Sequence, residues 1–215
     1  MRRRITTLVL MGSLAAAGTA AAQTAEWRYG GRLLYLSTDA TSDELGDTGY
    51  DFDVGSSLGL EFDAAVMFSN SFAAEFSIGG AAPRLKAVGG DCCPTIDAGR
   101  LWLVPLTATA QYHPQIYGPW YPYVGLGITW IVPLYSLSDD LRAAGLNDVD
   151  FEGSLGLAAQ VGFNYQMDNR WYVNFDLKYL GASLEARAKT AEEDIPTVTL
   201  DINPFVIGLG VGYKF

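Results

Sequence analysis

The residues of this chain that could do chemistry are ionisable and amide side chains that recur at every second position inside apolar segments. A two-residue spacing places such side chains on one face of a β-strand. The set comprises Arg28, Arg32, Glu61, Asp63, Glu75, Gln111, Asn174, Asp176 and Lys178. Because it contains both charge signs and amides, its members can form ion pairs and hydrogen bonds with one another. We therefore predict a polar network without catalytic residues.

The two cysteines, Cys92 and Cys93, are adjacent in a segment predicted to be a long loop. Neighbouring Cα atoms lie about 3.8 Å apart across a trans peptide, which is less than the usual disulfide span of about 4.4 to 6.8 Å. A vicinal disulfide would therefore be strained, and two free thiols are the alternative. One histidine and no separated cysteines are too few ligands for a Cys/His zinc site, so we predict no metal and no cofactor.

The first residues are typical of a cleaved secretory signal peptide. A basic "MRRR" precedes an apolar run from Ile5 to Gly18, and small residues end the segment at Ala20 to Ala22. The apolar run is shorter than the roughly 20 residues that a membrane-spanning helix needs. We predict residues 1–22 to be the signal peptide and residues 23–215 to be a single domain.

Apolar and polar residues alternate strictly along most of the remaining chain. In "RWYVNFDLKYL", for example, Trp171, Val173 and Phe175 lie on one face and Asn174 and Asp176 on the other. This period indicates β-strands. Eight are predicted, at 27–38, 52–68, 72–80, 99–113, 121–132, 151–166, 170–188 and 198–215.

The connections between these strands alternate in length. Turns such as "SNS" and "MDN" are tight, and the other connections are long and acidic. An even strand number with short turns on one side is typical of an outer-membrane barrel. We predict an all-β fold, an eight-stranded antiparallel transmembrane β-barrel with short periplasmic turns and long extracellular loops.

A secreted β-sandwich is the alternative, because its strands alternate too. Large aromatic residues near the turn end favour the membrane barrel, where they would form an interfacial girdle. They are Tyr29, Phe68, Phe72, Tyr112, Tyr121, Tyr123, Tyr165, Trp171, Tyr213 and Phe215. The only histidine, His113, falls beside a periplasmic turn, and we interpret it as a further interfacial aromatic. A lipid A-modifying enzyme would instead need a base and a nucleophile near the outer leaflet.

The charge of the chain restricts its partners. The formal net charge is −10, which argues against a nucleic-acid partner. The acidic residues gather in the predicted loops, where solvated charge is the default interpretation and divalent ions bridging lipopolysaccharide phosphates are the alternative. We predict outer-membrane lipids and lipopolysaccharide as partners.

Four segments in this order resemble the OmpW family of eight-stranded outer-membrane proteins: "LTATAQYHP", "YPYVGLGITW", "GSLGLAAQVGFNYQMDNRWYVNFDLKYL" and "DINPFVIGLGVGYKF". The resemblance implies a narrow barrel associated with the passage of small hydrophobic molecules across the outer membrane. Alkane-uptake proteins of the AlkL type belong to this family. The vicinal cysteines are not part of the family pattern.

The predicted inward positions allow two interpretations. The charged residues could form a salt-bridged plug that only holds the barrel rigid. Alternatively, Leu34, Leu36, Leu101 and Leu103 form an apolar upper lumen above the charges, and a hydrophobic molecule leaves sideways into the outer leaflet. Pro105, Pro133 and Pro204 lie toward the extracellular side and lack the N–H that a strand ladder needs. They could open a lateral exit, although Pro133 and Pro204 could equally shape the ends of strands. A scaffold, adhesin or sensor that acts through acidic loops is the alternative function.

The chain ends in "GLGVGYKF", in which Leu209, Val211, Tyr213 and Phe215 share the lipid-facing side. Chain ends are usually polar and frayed, so an apolar, alternating end suggests a use. It resembles the C-terminal signal by which the barrel assembly machinery recognises outer-membrane barrels. We predict these four residues to be an assembly signal.

Overall fold

The computed structural model describes residues 26–38, 41–42, 50–89, 96–114, 118–137, 148–189 and 198–215. Strands make up most of this part of the chain. They are β1 (Glu26–Ser37), β2 (Thr41–Ser42), β3 (Tyr50–Val54), β4 (Ser57–Met67), β5 (Phe72–Ala81), β6 (Arg84–Gly89), β7 (Ile96–Tyr112), β8 (Trp120–Leu137), β9 (Asp148–Glu152), β10 (Ser154–Gln166), β11 (Trp171–Gly181), β12 (Ser183–Lys189), β13 (Val198–Asp201) and β14 (Phe205–Lys214). Among the described residues, no helix is long and hydrophobic enough to span a membrane.

Eight of these strands close into an antiparallel barrel in the order β7, β5, β4, β1, β14, β11, β10 and β8, and β8 pairs back with β7. Following paired residues once around the ring from Trp27 leads back to β1 at Ser37, a stagger of ten residues. Such a stagger tilts the strands, and eight strands leave an interior about as wide as the side chains that fill it. The predicted eight-stranded barrel is confirmed, and a sandwich is excluded.

The outer wall of the barrel is apolar, as a membrane protein requires. Leu126, Leu155 and Leu157 point outward and are 71 to 74% exposed, whereas Leu34 and Leu101 point inward and are 3% and 0% exposed. Burying so much outward apolar surface in hydrocarbon is favourable. The strict alternation of the sequence therefore separates a lipid-facing set of side chains from a lumen-facing set.

Above the barrel, the strands continue in two groups. The strands β3 and β6 extend the sheet beside β7, and β2, β13, β12 and β9 form a separate four-stranded sheet. The third predicted strand ended at residue 80, but the structure continues it as β6 after a break at Pro83. The carbonyl of Pro83 still accepts a bond from the Leu101 N–H at 3.1 Å, so the two neighbouring strands stay together across the break.

The opposite end of the barrel has short turns with side-chain caps. The Ser69 hydroxyl oxygen accepts a bond from the Phe72 N–H at 3.1 Å in the turn after β4. In the turn after β10, one Asp168 carboxylate oxygen accepts bonds from the N–H groups of Trp171 and Arg170, both at 2.7 Å. These two backbone donors lower the pKa of the Asp168 carboxyl. Both hairpins are thereby held in a tight conformation.

The aromatic residues at this end differ from the prediction at Tyr123 and His113. Tyr123 is 2% exposed and points into the lumen, so its assignment to the girdle was wrong. The prediction that His113 is an interfacial aromatic was wrong as well, because its side chain is also buried. The alternation of the strands places both residues inside, since His113 is in phase with the buried Gln111 and Tyr123 alternates with the exposed Val124. The outward rings of Trp171, Tyr213 and Phe215 pack edge to face instead, with ring centroids 5.0 Å (Trp171 and Tyr213) and 4.8 Å (Tyr213 and Phe215) apart.

Candidate functional site

An ion cluster fills the middle of the lumen around Arg32. The Arg32 guanidinium donates to Glu61 Oε1 at 2.6 Å and to Glu75 Oε2 at 2.9 Å. Its Nε donates to Asn174 Oδ1 at 2.6 Å, and Asp63 Oδ1 lies 3.4 Å from Nη2. Side chains from β4, β5 and β11 therefore meet at one guanidinium on β1, whose planar shape suits several acceptors at once.

Lys178 is the second cation of this cluster. Its ammonium donates to both carboxylate oxygens of Glu61, at 2.7 and 2.9 Å. Glu75 and Asp176 lie 3.4 and 3.7 Å away. Two cations thus share the lumen with four carboxylates, all of them buried. Such charges are retained in an interior when they are paired and hydrogen-bonded.

The periplasmic half of the lumen is closed by polar and aromatic side chains. The Tyr123 hydroxyl donates to Asp176 Oδ2 at 2.6 Å. Gln111 Nε2 donates to Glu75 Oε2 at 2.9 Å, and His113 Nε2 lies 3.0 Å from Gln111 Oε1. The cavity among these groups measures about 10 Å³, which is about the space of one water molecule. An aqueous channel through this half is therefore excluded in this conformation.

The extracellular half of the lumen is apolar. Leu34, Leu36, Leu101 and Leu103 are between 0 and 3% exposed. They belong to one apolar cluster that also contains Val54, Ala81, Leu85, Ile131, Ala158, Leu180, Ala182, Ile202 and Val206. This cluster, which we call the upper lumen, lies directly above Arg32 and Lys178 on β1 and β11. Its leucines fill the space, so a guest molecule must displace them.

The wall of the upper lumen has an interruption in strand pairing at Pro105. The ladder between β5 and β7 pairs Ile78 with Leu106 and resumes at Ala81 with Leu103. The residues in between, Gly79 and Gly80 on β5 and Val104 and Pro105 on β7, are outside the ladder. We call these four residues the window. A proline has no N–H to donate, and two glycines leave the wall without side chains on the other strand.

The window lies in the wall between the upper lumen and the outer surface. A Cβ added at Gly79 would lie 3.2 Å from Pro105 Cγ and 3.6 Å from Leu34 Cδ1. Leu34 of the upper lumen therefore lies against the inner side of the window. On the lipid side, a hollow of about 540 Å³ runs along β4, β5 and β7 next to the window. It is lined mainly by Tyr29, Phe62, Ala64, Phe76, Ile78, Leu106 and Ala108.

The remaining predicted site residues lie apart from this window. Arg28 is near the periplasmic end and pairs with Glu26 at 2.6 Å. Pro133 lies within β8, two residues beyond Ile131, whose pair with Ser154 is the last between β8 and β10. Pro204 precedes β14, and its carbonyl accepts a bond from the Leu180 N–H at 3.1 Å.

The four residues of the predicted assembly signal lie on the outward face at the end of the chain. Leu209, Val211 and Phe215 are exposed, and Tyr213 is half-buried on the same side. Cys92 and Cys93, like the predicted signal peptide, lie outside the described residues. In the part of the chain that the structure describes, no group of three or more His, Cys, Asp or Glu side chains could hold a metal ion.

Sequence reasoning omitted several lumen residues. Tyr123, Gln160, Asn164 and Tyr172 are all buried inside the barrel. Their signal was present, because each lies in phase with predicted inward positions on its own strand. Tyr123 was instead assigned to the girdle because it lies near a turn, and Gln160 and Asn164 were left out of a predicted set that did include the amides of Gln111 and Asn174.

Comparison with protein families gives one family over nearly the whole barrel. The family model described as the OmpW family matches residues 33–215. The outer-membrane protein y4mB of Sinorhizobium fredii is 34% identical over 91% of this chain and 82% of its own length. Outer membrane protein W of Vibrio cholerae is 27% identical over the full length of both chains. The dibenzothiophene metabolism operon protein PahQ of Pseudomonas aeruginosa is 26% identical over 65% of this chain and 63% of its own.

Solved structures show the same fold. The outer membrane protein OprG from Pseudomonas aeruginosa has a TM-score of 0.79 at 21% identity, over 89% of this chain and 96% of that one. The outer membrane protein AlkL in lipid bilayers has a TM-score of 0.67 at 22% identity, over 95% and 97%. At these identities the likeness concerns the fold alone.

Proposed function

The chain belongs to the OmpW family of outer-membrane proteins of Gram-negative bacteria, and from this premise we propose that it gives small hydrophobic molecules a narrow path into the outer membrane. The path enters the upper lumen from the extracellular side. It leaves the barrel sideways through the window and ends in the hollow on the lipid-facing wall. The ion cluster blocks the straight route to the periplasm.

The position of Leu34 is the observation that carries this proposal. Leu34 belongs to the upper lumen, lies two residues above Arg32 on the same face of β1, and packs behind Gly79 of the window. A molecule that displaces Leu34 is therefore at the bottom of the apolar region and beside the interruption in the wall. No further apolar step leads downward, because Arg32 and Lys178 come next.

Energetics favour the sideways route over the straight one. A hydrocarbon that entered the ion cluster would separate buried charges from their partners, and leaving a buried charge unpaired costs about 3 to 5 kcal/mol. Displacing a leucine costs only rotamer freedom and packing, which the guest restores with its own apolar surface. Among the three prolines, Pro105 is the one that lies beside both the upper lumen and the outer hollow.

The family relationship supports the chemical class of the guest. The resemblance to AlkL-type proteins implies hydrocarbon uptake, and the name of PahQ refers to the metabolism of dibenzothiophene, an apolar aromatic compound. Outward apolar surface places the protein in contact with lipid. Contacts with lipopolysaccharide and with the barrel assembly machinery are part of the proposal.

Uptake of labelled n-decane tests this function. Cells of a Gram-negative host that lacks its own family member would carry no protein, the wild type, or the double variant Leu34→Glu with Leu103→Glu. A second double variant, Leu34→Met with Leu103→Met, keeps volume and polarity and serves as the matched control. Folding of each variant is checked by its heat-modifiable mobility on gels.

We expect the wild type and the methionine variant to raise decane uptake and the glutamate variant to abolish the gain. Equal uptake in all four strains would contradict the function and favour a scaffold, adhesin or sensor. If the glutamate variant does not fold, single Leu34→Glu and Leu103→Glu variants replace it.

A further inference from the structure

The lumen has one wall without charged groups. On the inward face of β8, the residues between Tyr123 and Ile131 are Gly125, Gly127 and Thr129. The opposite wall, on β1, β4 and β11, carries Arg32, Lys178 and their carboxylate partners. The neutral wall runs from the upper lumen down to the level of the ion cluster.

On β10, next to this wall, Gln160 is buried and its side-chain amide has no partner. Its side chain is 5% exposed, yet neither Nε2 nor Oε1 has a hydrogen-bond partner among the described residues. The Thr109 hydroxyl on β7 shares this property. The Thr107 and Thr129 hydroxyls, by contrast, bond each other at 3.0 Å. Asp63 Oδ1 also has no hydrogen-bond partner among the described residues, but it lies 3.4 Å from the charged Arg32 Nη2. Buried amides are ordinarily hydrogen-bonded, so this pair needs an explanation.

The position of Gln160 links it to the upper lumen. It pairs with Gly125 on one side and with Lys178 on the other. Ala158, two residues away on the same face of β10, belongs to the upper lumen. A Cβ at Gly125 would lie 2.8 Å from Gln160 Cγ, so the glycine leaves room for the amide side chain. The unpartnered amide therefore lies at the bottom of the upper lumen, beside the charges.

We propose that Gln160, together with Thr109, binds the uncharged polar end of an amphiphilic guest such as a long-chain alcohol. The hydrocarbon part of the guest lies among the leucines of the upper lumen, and its hydroxyl donates to Gln160 Oε1 and accepts from Nε2. A carboxylate end is disfavoured, because the adjacent cluster already has four carboxylates against two cations. This inference rests on the proposed function, because the guest reaches Gln160 through the upper lumen.

The side-chain amide resonance of Gln160 tests the inference directly. The protein is labelled with ¹⁵N and reconstituted in lipid nanodiscs, and the resonance is assigned by its loss in Gln160→Leu, or in Gln160→Asn if the leucine variant does not fold. Decan-1-ol should shift it in a saturable manner and n-decane should not. The Gln111 amide, which is bonded to Glu75 and lies near His113, is the internal control and should not move. Thr109→Val should weaken the response to decan-1-ol.

An unchanged Gln160 resonance at saturating decan-1-ol would overturn the inference, and an equal shift by n-decane would do so as well. Uptake measurements in cells distinguish failure of the Gln160 site from failure of the proposed function. In cells, Gln160→Leu should lower the ratio of decan-1-ol to n-decane uptake by about 3- to 10-fold, the range that one net hydrogen bond allows. If decane uptake depends on the protein but the Gln160 resonance does not shift with decan-1-ol, the amide site alone is refuted. Uptake of both compounds independent of the protein would refute the path.

Discussion

At the scale of the residue, the lumen is packed by placing a glycine opposite each of several bulky side chains on the adjacent strand. Gly162 is paired with Tyr123, and a Cβ there would lie 2.6 Å from the Tyr123 ring and hydroxyl. Gly210 is paired with Arg32, where a Cβ would lie 2.8 Å from the Arg32 Cγ. Glycine at these positions thus makes room for the polar cluster.

This packing predicts that Gly162→Ala destabilises the barrel by about 1 to 3 kcal/mol, because the added methyl group would clash with the Phe175 carbonyl oxygen as well as lie 2.6 Å from Tyr123, so that both the backbone and the ring must move. Urea unfolding from lipid vesicles, followed by tryptophan fluorescence, measures the change. Gly80→Ala is the matched control, since no atom lies within 4 Å of its added Cβ. Equal stability of the two variants would show that the glycine does not set the packing.

The ion cluster makes a second prediction at this scale. Arg32→Met leaves Glu61, Glu75 and Asp63 without their shared guanidinium and should cost about 3 to 5 kcal/mol in the same unfolding experiment. Arg170→Met removes an exposed arginine that bonds the Tyr213 hydroxyl at 2.7 Å, and it should cost about 1 kcal/mol or less. A loss of similar size in both variants would argue against the buried cluster as a source of stability.

The sequence was sufficient to assign most single residues to a face, because a strand has a period of two. It could not assign partners. Arg32 bonds Asn174, which lies far along the chain, because β1, β14 and β11 are neighbours with a particular stagger. Tyr123 and His113 were misplaced for a different reason, because their nearness to a turn was given more weight than the alternation, which puts both on the inward face.

At the scale of the element, the strands were predictable and their interruptions were less so. Alternation located all eight barrel strands, but β6 fell in a predicted loop, and β12 and β13 were predicted as continuations of barrel strands and not as a separate sheet. Pro105 was recognised as a weak point, whereas the contribution of Gly79 and Gly80 required the register between β5 and β7. An interruption in strand pairing depends on the residues of both strands and on their register, so the sequence around Pro105 alone could not reveal it.

The closing strand β14 carries the prediction about assembly. The Phe215 N–H donates to the Trp27 carbonyl at 2.8 Å, and its ring packs against Tyr29 with centroids 5.5 Å apart. These contacts are peripheral, because the Phe215 side chain is 77% exposed. Deleting Phe215 should therefore reduce the amount of heat-modifiable barrel in the outer membrane much more than it reduces the urea stability of the refolded protein.

Phe72→Ala is the control for this deletion, because it removes another exposed girdle ring, one that packs on Tyr112, without changing the chain end. We expect near-normal abundance for Phe72→Ala. Normal abundance of the barrel without Phe215 would refute the assembly signal.

At the scale of the whole molecule, the barrel is divided into two halves with different chemistry. The periplasmic half is filled by the ion cluster and its polar partners and holds one small cavity. The extracellular half is filled by leucines and has the window in its wall. This division explains how a barrel too narrow for an aqueous pore could still serve as a path for apolar molecules, which need no water and can move into lipid.

The most direct test of this account is a reversible staple across the window. Cys92 and Cys93 are replaced by serine, and cysteines are introduced at Gly80 and Val104, which are opposite each other when the register of Ile78 with Leu106 and Ala81 with Leu103 is continued across the window. A disulfide holds its two Cα atoms about 4.4 to 6.8 Å apart, which is close to the spacing of paired strands, so the staple closes the interruption. The control staple joins Ala74 and Ala110, a paired position lower on the same two strands.

The measurement is decane uptake by cells carrying each stapled barrel, before and after reduction. The account predicts that the oxidised window staple lowers protein-dependent uptake at least several-fold, that reduction restores it, and that the control staple has no effect. Full uptake through a barrel with the window covalently closed would contradict the lateral exit.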